Sequence, residues 1–162
     1  MANMLDTALG KHLKKAKALK TDDLFKEVFT RRDVATLVIE LNRLRLQKGL
    51  TTQNKVITNL ETGSKAYTKL TEAIYKKVGR RITAGQPYTM KYTGEFYESI
   101  RVTNVTGLNF DILADPIKDD GTNLYEVYGQ FLIGATPEDL EILRAYVLPI
   151  MRNIALRYLT NP

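Results

Sequence analysis

Apolar positions in this chain follow a helical period toward both ends and a two-residue alternation near residue 110. Leu5, Leu9, Leu13 and Ala16 step by three and four, which predicts a helix face over residues 1–20. Gly10 weakens the middle of that helix by about 1 kcal/mol relative to alanine. Thr21, followed by Asp22 and Asp23, predicts a capped start for a second short helix through Phe29. Asp33 is the next candidate cap. Behind it Val34, Leu37, Val38, Leu41 and Leu44 keep helical spacing to Lys48, and Gly49 is a natural stop. Tyr67, Leu70, Ile74 and Val78 carry a fainter stripe, with Ser64 as cap and Gly79 as stop. Segments 50–63 and 79–92 show no sustained period and are predicted to be loops, with a turn at Gly85-Gln86-Pro87.

Thr93 to Ile100 reads as a short helical or bent segment leading into a hairpin. Ile100, Val102 and Val105 form its first flank, Thr106-Gly107 the turn, and Leu108, Phe110, Ile112 and Ala114 the second flank. Asn104 breaks the alternation of the first flank, which a bulge beside the turn absorbs. Asp115-Pro116 ends the hairpin, Asp119-Asp120-Gly121 makes a polar loop, and Asn123 to Gly129 reads as a short helix. Thr136-Pro137-Glu138-Asp139 combines a capping hydroxyl, a proline at the first helical position and acids beside the positive dipole end. Leu140, Leu143, Val147, Ile150, Met151, Ile154 and Tyr158 continue that helix, and Pro149 predicts a kink near Ala145 and Tyr146. The expected fold is therefore α+β, with N-terminal helices, a central antiparallel hairpin or small sheet, and a long C-terminal helix packed on it. Residues 1–32 are expected to form a basic helical arm and residues 33–162 a single domain.

A length of 162 residues with 44% hydrophobic content suits one domain with a sizeable core. The chain has no run of about 18 apolar residues, so no membrane span is expected. Met1 to Gly10 lacks a basic start followed by an apolar run, so a secretory signal is not expected either. The absence of cysteine excludes disulfides, thiol nucleophiles and Cys-ligated metals, and fits synthesis in a reducing cytosol. Charge changes the picture more. Residues 1–100 carry a net +9 and residues 101–162 a net −3, within the overall +6. That split suggests a basic region facing an acidic partner, either nucleic acid or the acidic face of a neighbouring copy, against the plainer reading of a solvated surface.

Candidate chemistry is sparse. His12, the single histidine, lies among lysines that would repel a cation, and it offers no Ser-His-Asp triad. Asp115, Asp119 and Asp120 lack the spacing of a calcium loop, and Gly79-Arg80-Arg81 is not a phosphate-binding loop. Glu95 and Glu98, three apart, could share a helix face, but the chain has no tryptophan to build an aromatic sugar cleft. No catalytic activity, cofactor or metal is expected. Binding signals are stronger: Lys11, Lys14, Lys15, Lys17 and Lys20, with Arg80 and Arg81, can neutralise phosphates, and Tyr88 and Tyr92 can either stack on bases or fill the core.

The segment Thr93-Gly94-Glu95-Phe96-Tyr97-Glu98-Ser99-Ile100, the hairpin after it, Tyr125-Glu126-Val127-Tyr128-Gly129 and the helix from Thr136 resemble tailed-phage neck and tail-completion proteins. The carrying positions are Thr93, Gly94, Phe96, Ser99, Tyr125, Glu126, Tyr128 and Gly129. The wording of Ala114 to Lys118 and of Gly134 to Glu138 is similar to structural proteins of crAss-like and related phages of Bacteroidetes hosts. The resemblance covers about residues 85–160. It implies an oligomeric ring at the head–tail connector (neck) or along the tail of the virion, made in the host cytoplasm. The implied partners are other copies of the chain, a portal or neighbouring neck and tail proteins, and DNA passing through the channel. The long basic section 1–50 departs from the simplest members, and an extra arm of this kind can dock on a portal or a neighbouring ring. A DNA-backbone-binding or packaging-associated protein using that section is the alternative.

Overall fold

A computed structural model describes residues 8–77, 79–91, 94–106 and 109–160. Among these are seven α-helices and one two-stranded antiparallel sheet, so the α+β class holds. Helix α1 spans Ala8–Ala18, α2 Thr21–Phe29 and α3 Arg32–Gln47. Only two residues link each pair, which draws Thr21 and Asp33 into helical geometry instead of leaving them at the caps. Lys20 and Arg31 occupy the cap positions, and neither supplies a side-chain cap. The acids still lie in the first turns, beside the positive dipole ends. The side chains of Leu9, His12 and Leu13, and all of Leu5, lie outside the described residues.

In α3 the buried positions are Val34, Val38, Asn42, Arg45 and Leu46, whereas Leu44, which the apolar spacing assigns to the core, is 51% exposed. The true inner stripe runs along i+4 through Val34, Val38, Asn42 and Leu46, with Arg45 beside it, so it carries two polar residues. Gly49 ends the helix with φ +71, and a Cβ there would stand 2.6 Å from Cβ of Pro87. Both the backbone angle and the close approach require glycine.

The long helix α7, Pro137–Thr160, is continuous across Pro149. It buries Leu143, Val147 and Ile154, while Leu140 and Tyr158, expected on the same stripe, are half exposed. These inner residues join Val28, Phe29, Val34 and Val38 in one core. Strands β1, Arg101–Thr106, and β2, Asn109–Leu113, cover it through Val102, Val105, Phe110 and Ile112. Phe29 stacks between Phe25 and Phe110 at centroid distances of 4.2 and 4.7 Å. Helix α2, on the arm side of a boundary at residue 32, thus contributes to the core, and α1 also rests on α7. The hairpin register slips between Thr103 and Thr106, where Asn104 takes φ 50 and donates to Asp111 at 2.7 Å. The expected turn residue Gly107 lies outside the described residues, as do Leu108 and Val78.

A second half is built from residues 50–99 and 115–133. It contains helices α4 (Lys69–Lys77), α5 (Glu95–Glu98) and α6 (Leu124–Tyr128), then a 3-10 turn at Gln130–Leu132. Thr68 caps α4 by accepting from the Thr71 amide at 3.1 Å, whereas Ser64, the expected cap, donates to the Ala66 carbonyl. The loops 50–63 and 79–92 are tied by the isolated bridges Leu50–Val56 and Ala66–Pro87. They deliver Ile57, Tyr88 and Met90 to a second core with Tyr67, Phe96, Tyr97, Ile100, Leu124 and Leu132. No helix among the described residues is long and apolar enough to cross a membrane.

Candidate functional site

A buried polar junction ties the end of α3 to the start of α7 and to Gly134 in the link that leads into it. The Arg45 side chain is 6% exposed and forms an ion pair with Asp139. Its guanidinium also donates to Asn42 Oδ1 at 2.6 Å and to the Gly134 carbonyl at 2.9 Å. Asn42 Oδ1 accepts in addition from the Gly134 amide at 2.9 Å, and Asn42 Nδ2 donates to the Val38 carbonyl. Asp139 completes a capping box: its carboxylate accepts from the Thr136 amide and its own amide donates to Thr136 Oγ1, each at 3.0 Å. Burial lowers the affinity of Arg45 for its proton, and Asp139 opposes that effect. The site orients the start of α7 against the end of α3. From sequence only the cap at Thr136 is visible, because a lone Arg45 inside an apolar stripe looks like surface.

The residues that carry the family resemblance come together in the second half. Gly94 stands at φ +93 before α5, Phe96 is buried, and its ring meets that of Tyr125 edge-on at 6.3 Å. Ser99 Oγ donates to the Phe96 carbonyl and accepts from the Asp115 amide, both at 2.9 Å, so it fastens α5 to the end of the hairpin. Asn123 caps α6 by accepting from the Tyr125 amide and holds Glu126 through its amide nitrogen at 3.0 Å. Tyr128 leans on Tyr88 at 5.1 Å, and Gly129 follows at φ +90, a backbone angle that favours glycine. Thr93 lies outside the described residues. Tyr67, Met90, Glu95, Phe96, Asp115 and Lys118 border a cleft of about 40 Å³ here. That is room for about one water, whereas ligand sites run to roughly 300 Å³ and more.

The basic candidates fall on different halves. Lys11, Lys14, Lys17 and Lys20 are exposed along and just after α1, and Lys15 is half buried. Lys15 and Lys20 edge an open groove of about 860 Å³ with Leu19, Asp23, Glu27 and Arg157. Two of those lining residues, Asp23 and Glu27, are acidic, which weakens the groove as an anion site. Arg80 and Arg81 are exposed after α4, in the other half. Tyr88 is 7% exposed and belongs to the core, so it is not a free stacking platform, and Tyr92 lies outside the described residues. The acids of the 115–120 loop serve backbone turns: Asp115 accepts from Ile117 at 3.0 Å and Asp120 from Thr122 at 2.9 Å. Among the described residues, no three His, Cys, Asp or Glu converge as metal ligands. Compared with known proteins, the chain matches no protein-family model, no curated protein and no solved structure.

Proposed function

We propose that this chain is a structural subunit of a tailed-phage virion, one copy in an oligomeric ring at the head–tail connector or in the tail, acting through protein–protein contacts. The observation that supports the reading is the packing of Phe96 from one motif segment with Tyr125 and Tyr128 from the other. Phe96 of the first motif segment and Tyr125 and Tyr128 of the second share one core, and Ser99 ties the first segment to the end of the hairpin that precedes the second. A ring needs heterologous contacts, where one face meets a different face. The basic N-terminal portion and the acidic loop region, with Asp115, Asp119, Asp120 and Glu126, supply two such faces and steer them together. The test is co-expression with the portal, neck and tail proteins of the same genome, followed by native mass measurement. A multi-copy assembly containing this chain is expected; a chain that binds none of those components overturns the reading.

The exposed lysines along and beside α1 favour one second reading, contact with the DNA backbone. It requires duplex binding that weakens steeply with salt and is lost when Lys11, Lys14, Lys15, Lys17 and Lys20 are neutralised. Binding that ignores salt removes it.

A further inference from the structure

Helix α7 has a side turned directly away from its core. Leu143, Val147 and Ile154 point inward, and on the opposite side lie Glu141, Ala145, Leu148, Arg152 and Leu156, all exposed. At about 100° per residue these five positions fall within about 80° of one another. Leu148 is 51% and Leu156 47% exposed, and they border an open groove of about 710 Å³ with Ala145, Pro149 and Arg152. Neither Glu141 nor Arg152 belongs to an ion pair formed among the described residues.

The order along this face is acid, small, large, base. Glu141 and Arg152 share their midpoint with Ala145 and Leu148, between Tyr146 and Val147. A two-fold axis through that midpoint would lay Glu141 of one helix on Arg152 of an antiparallel second copy, twice. The same operation sets each Leu148 against an Ala145, the large-on-small meshing that close helix pairs need. Parallel pairing would instead oppose Glu141 to Glu141 and Arg152 to Arg152. We propose that the outer face of α7 is a self-complementary docking surface whose occupant is the same face of a second copy of this chain. Such a contact saturates at two copies, so it is separate from the heterologous contacts of a ring and does not rest on the virion reading.

The test is sedimentation velocity of the full chain at low salt and about 100 μM, where interfaces of modest area associate. A dimer is expected. Leu148→Asp should leave a monomer. Glu141→Arg and Arg152→Glu should each weaken the dimer at least about tenfold through like-charge opposition, and the double exchange should restore it. All three positions are exposed, and the charge exchange stands apart from any effect of Leu148→Asp on folding. A wild-type monomer, or a double variant as weak as the singles, overturns the proposal.

Discussion

In the helical half, Val28, Val34, Val38, Val147 and Ile154 meet around the stacked rings of Phe25, Phe29 and Phe110, and the backbone bonds are made within the helices or across the β1–β2 ladder. In the other half the chain turns through loops, and its tyrosines serve both core and backbone. Tyr67 Oη accepts from the Thr89 amide at 3.2 Å, while the Tyr97 hydroxyl donates to the Thr89 carbonyl. The rings of Tyr67, Tyr88 and Tyr128 pack at 4.9 and 5.1 Å. Burial raises the Tyr97 and Tyr128 hydroxyls well above the ordinary value of 10, so both stay protonated. A loop has backbone groups that no ladder pairs, and tyrosine supplies an apolar ring with a polar tip that reaches them. Helices can therefore use aliphatic residues freely, while packed loops call for amphipathic aromatics. Arg45 and Asn42 stand at the end of α3, beside Leu46, which packs into the second core.

Breaking the Arg45 junction or the aromatic stack should have the largest effect. Arg45→Ala leaves the half-buried Asp139 without its ion-pair partner and should cost about 3 kcal/mol in urea unfolding. Replacing Arg45 and Asp139 together by apolar residues should recover much of that loss. Phe29→Ala should cost as much as Arg45→Ala, about 3 kcal/mol, since it removes the middle ring of the stack and leaves a cavity. In the tyrosine-lined half, Tyr97→Phe keeps the ring and removes one hydroxyl, so it should cost only about 1–1.5 kcal/mol. A larger cost for Tyr97→Phe than for Phe29→Ala would reverse the comparison. Hydrogen exchange should separate the halves further: α4 buries no residue, so its amides should exchange well before those of α3 and α7.

The smallest effect belongs to pH. The hydrogen bond from Arg31 holds the Asp33 carboxyl down at about 2, from 3.8, with Tyr146 of α7 also donating at 3.3 Å. A depressed carboxyl contributes stability above its unfolded value, and the contribution disappears as pH falls through the folded one. The stability difference between wild type and Asp33→Asn should thus narrow from about pH 4 down to about pH 2. A difference that stays constant across that window would show that the Arg31 and Tyr146 contacts contribute nothing.

Much of the fold was legible because the local signals are strong. The start of α7, the stop at Gly49, the bulge at Asn104 and the short helix after Asn123 each rest on one or two residues whose chemistry permits little else. The caps at Thr21 and Asp33 were misplaced because two-residue links pull those residues into the helices. Ser64 gave way to Thr68, which sits one residue before α4 and reaches its first turn. Of the candidate site, the motif positions around Phe96 and Tyr128 could be named individually, yet nothing in their spacing announces that Ser99 and Asp115 bind each other.

The sequence by itself determined the elements, since helix period, strand alternation, caps and glycines act over a few residues. It also determined the split of charge between the two portions of the chain. Tertiary structure alone decided that Arg45 and Asn42 are core while Leu44 and Leu148 are surface. A buried arginine is tolerable only when partners distant in sequence converge on it, and here Gly134 and Asp139 do so across about ninety residues. Hydrophobicity is a property of the residue. Burial is a property of its neighbours, and those are set by the fold.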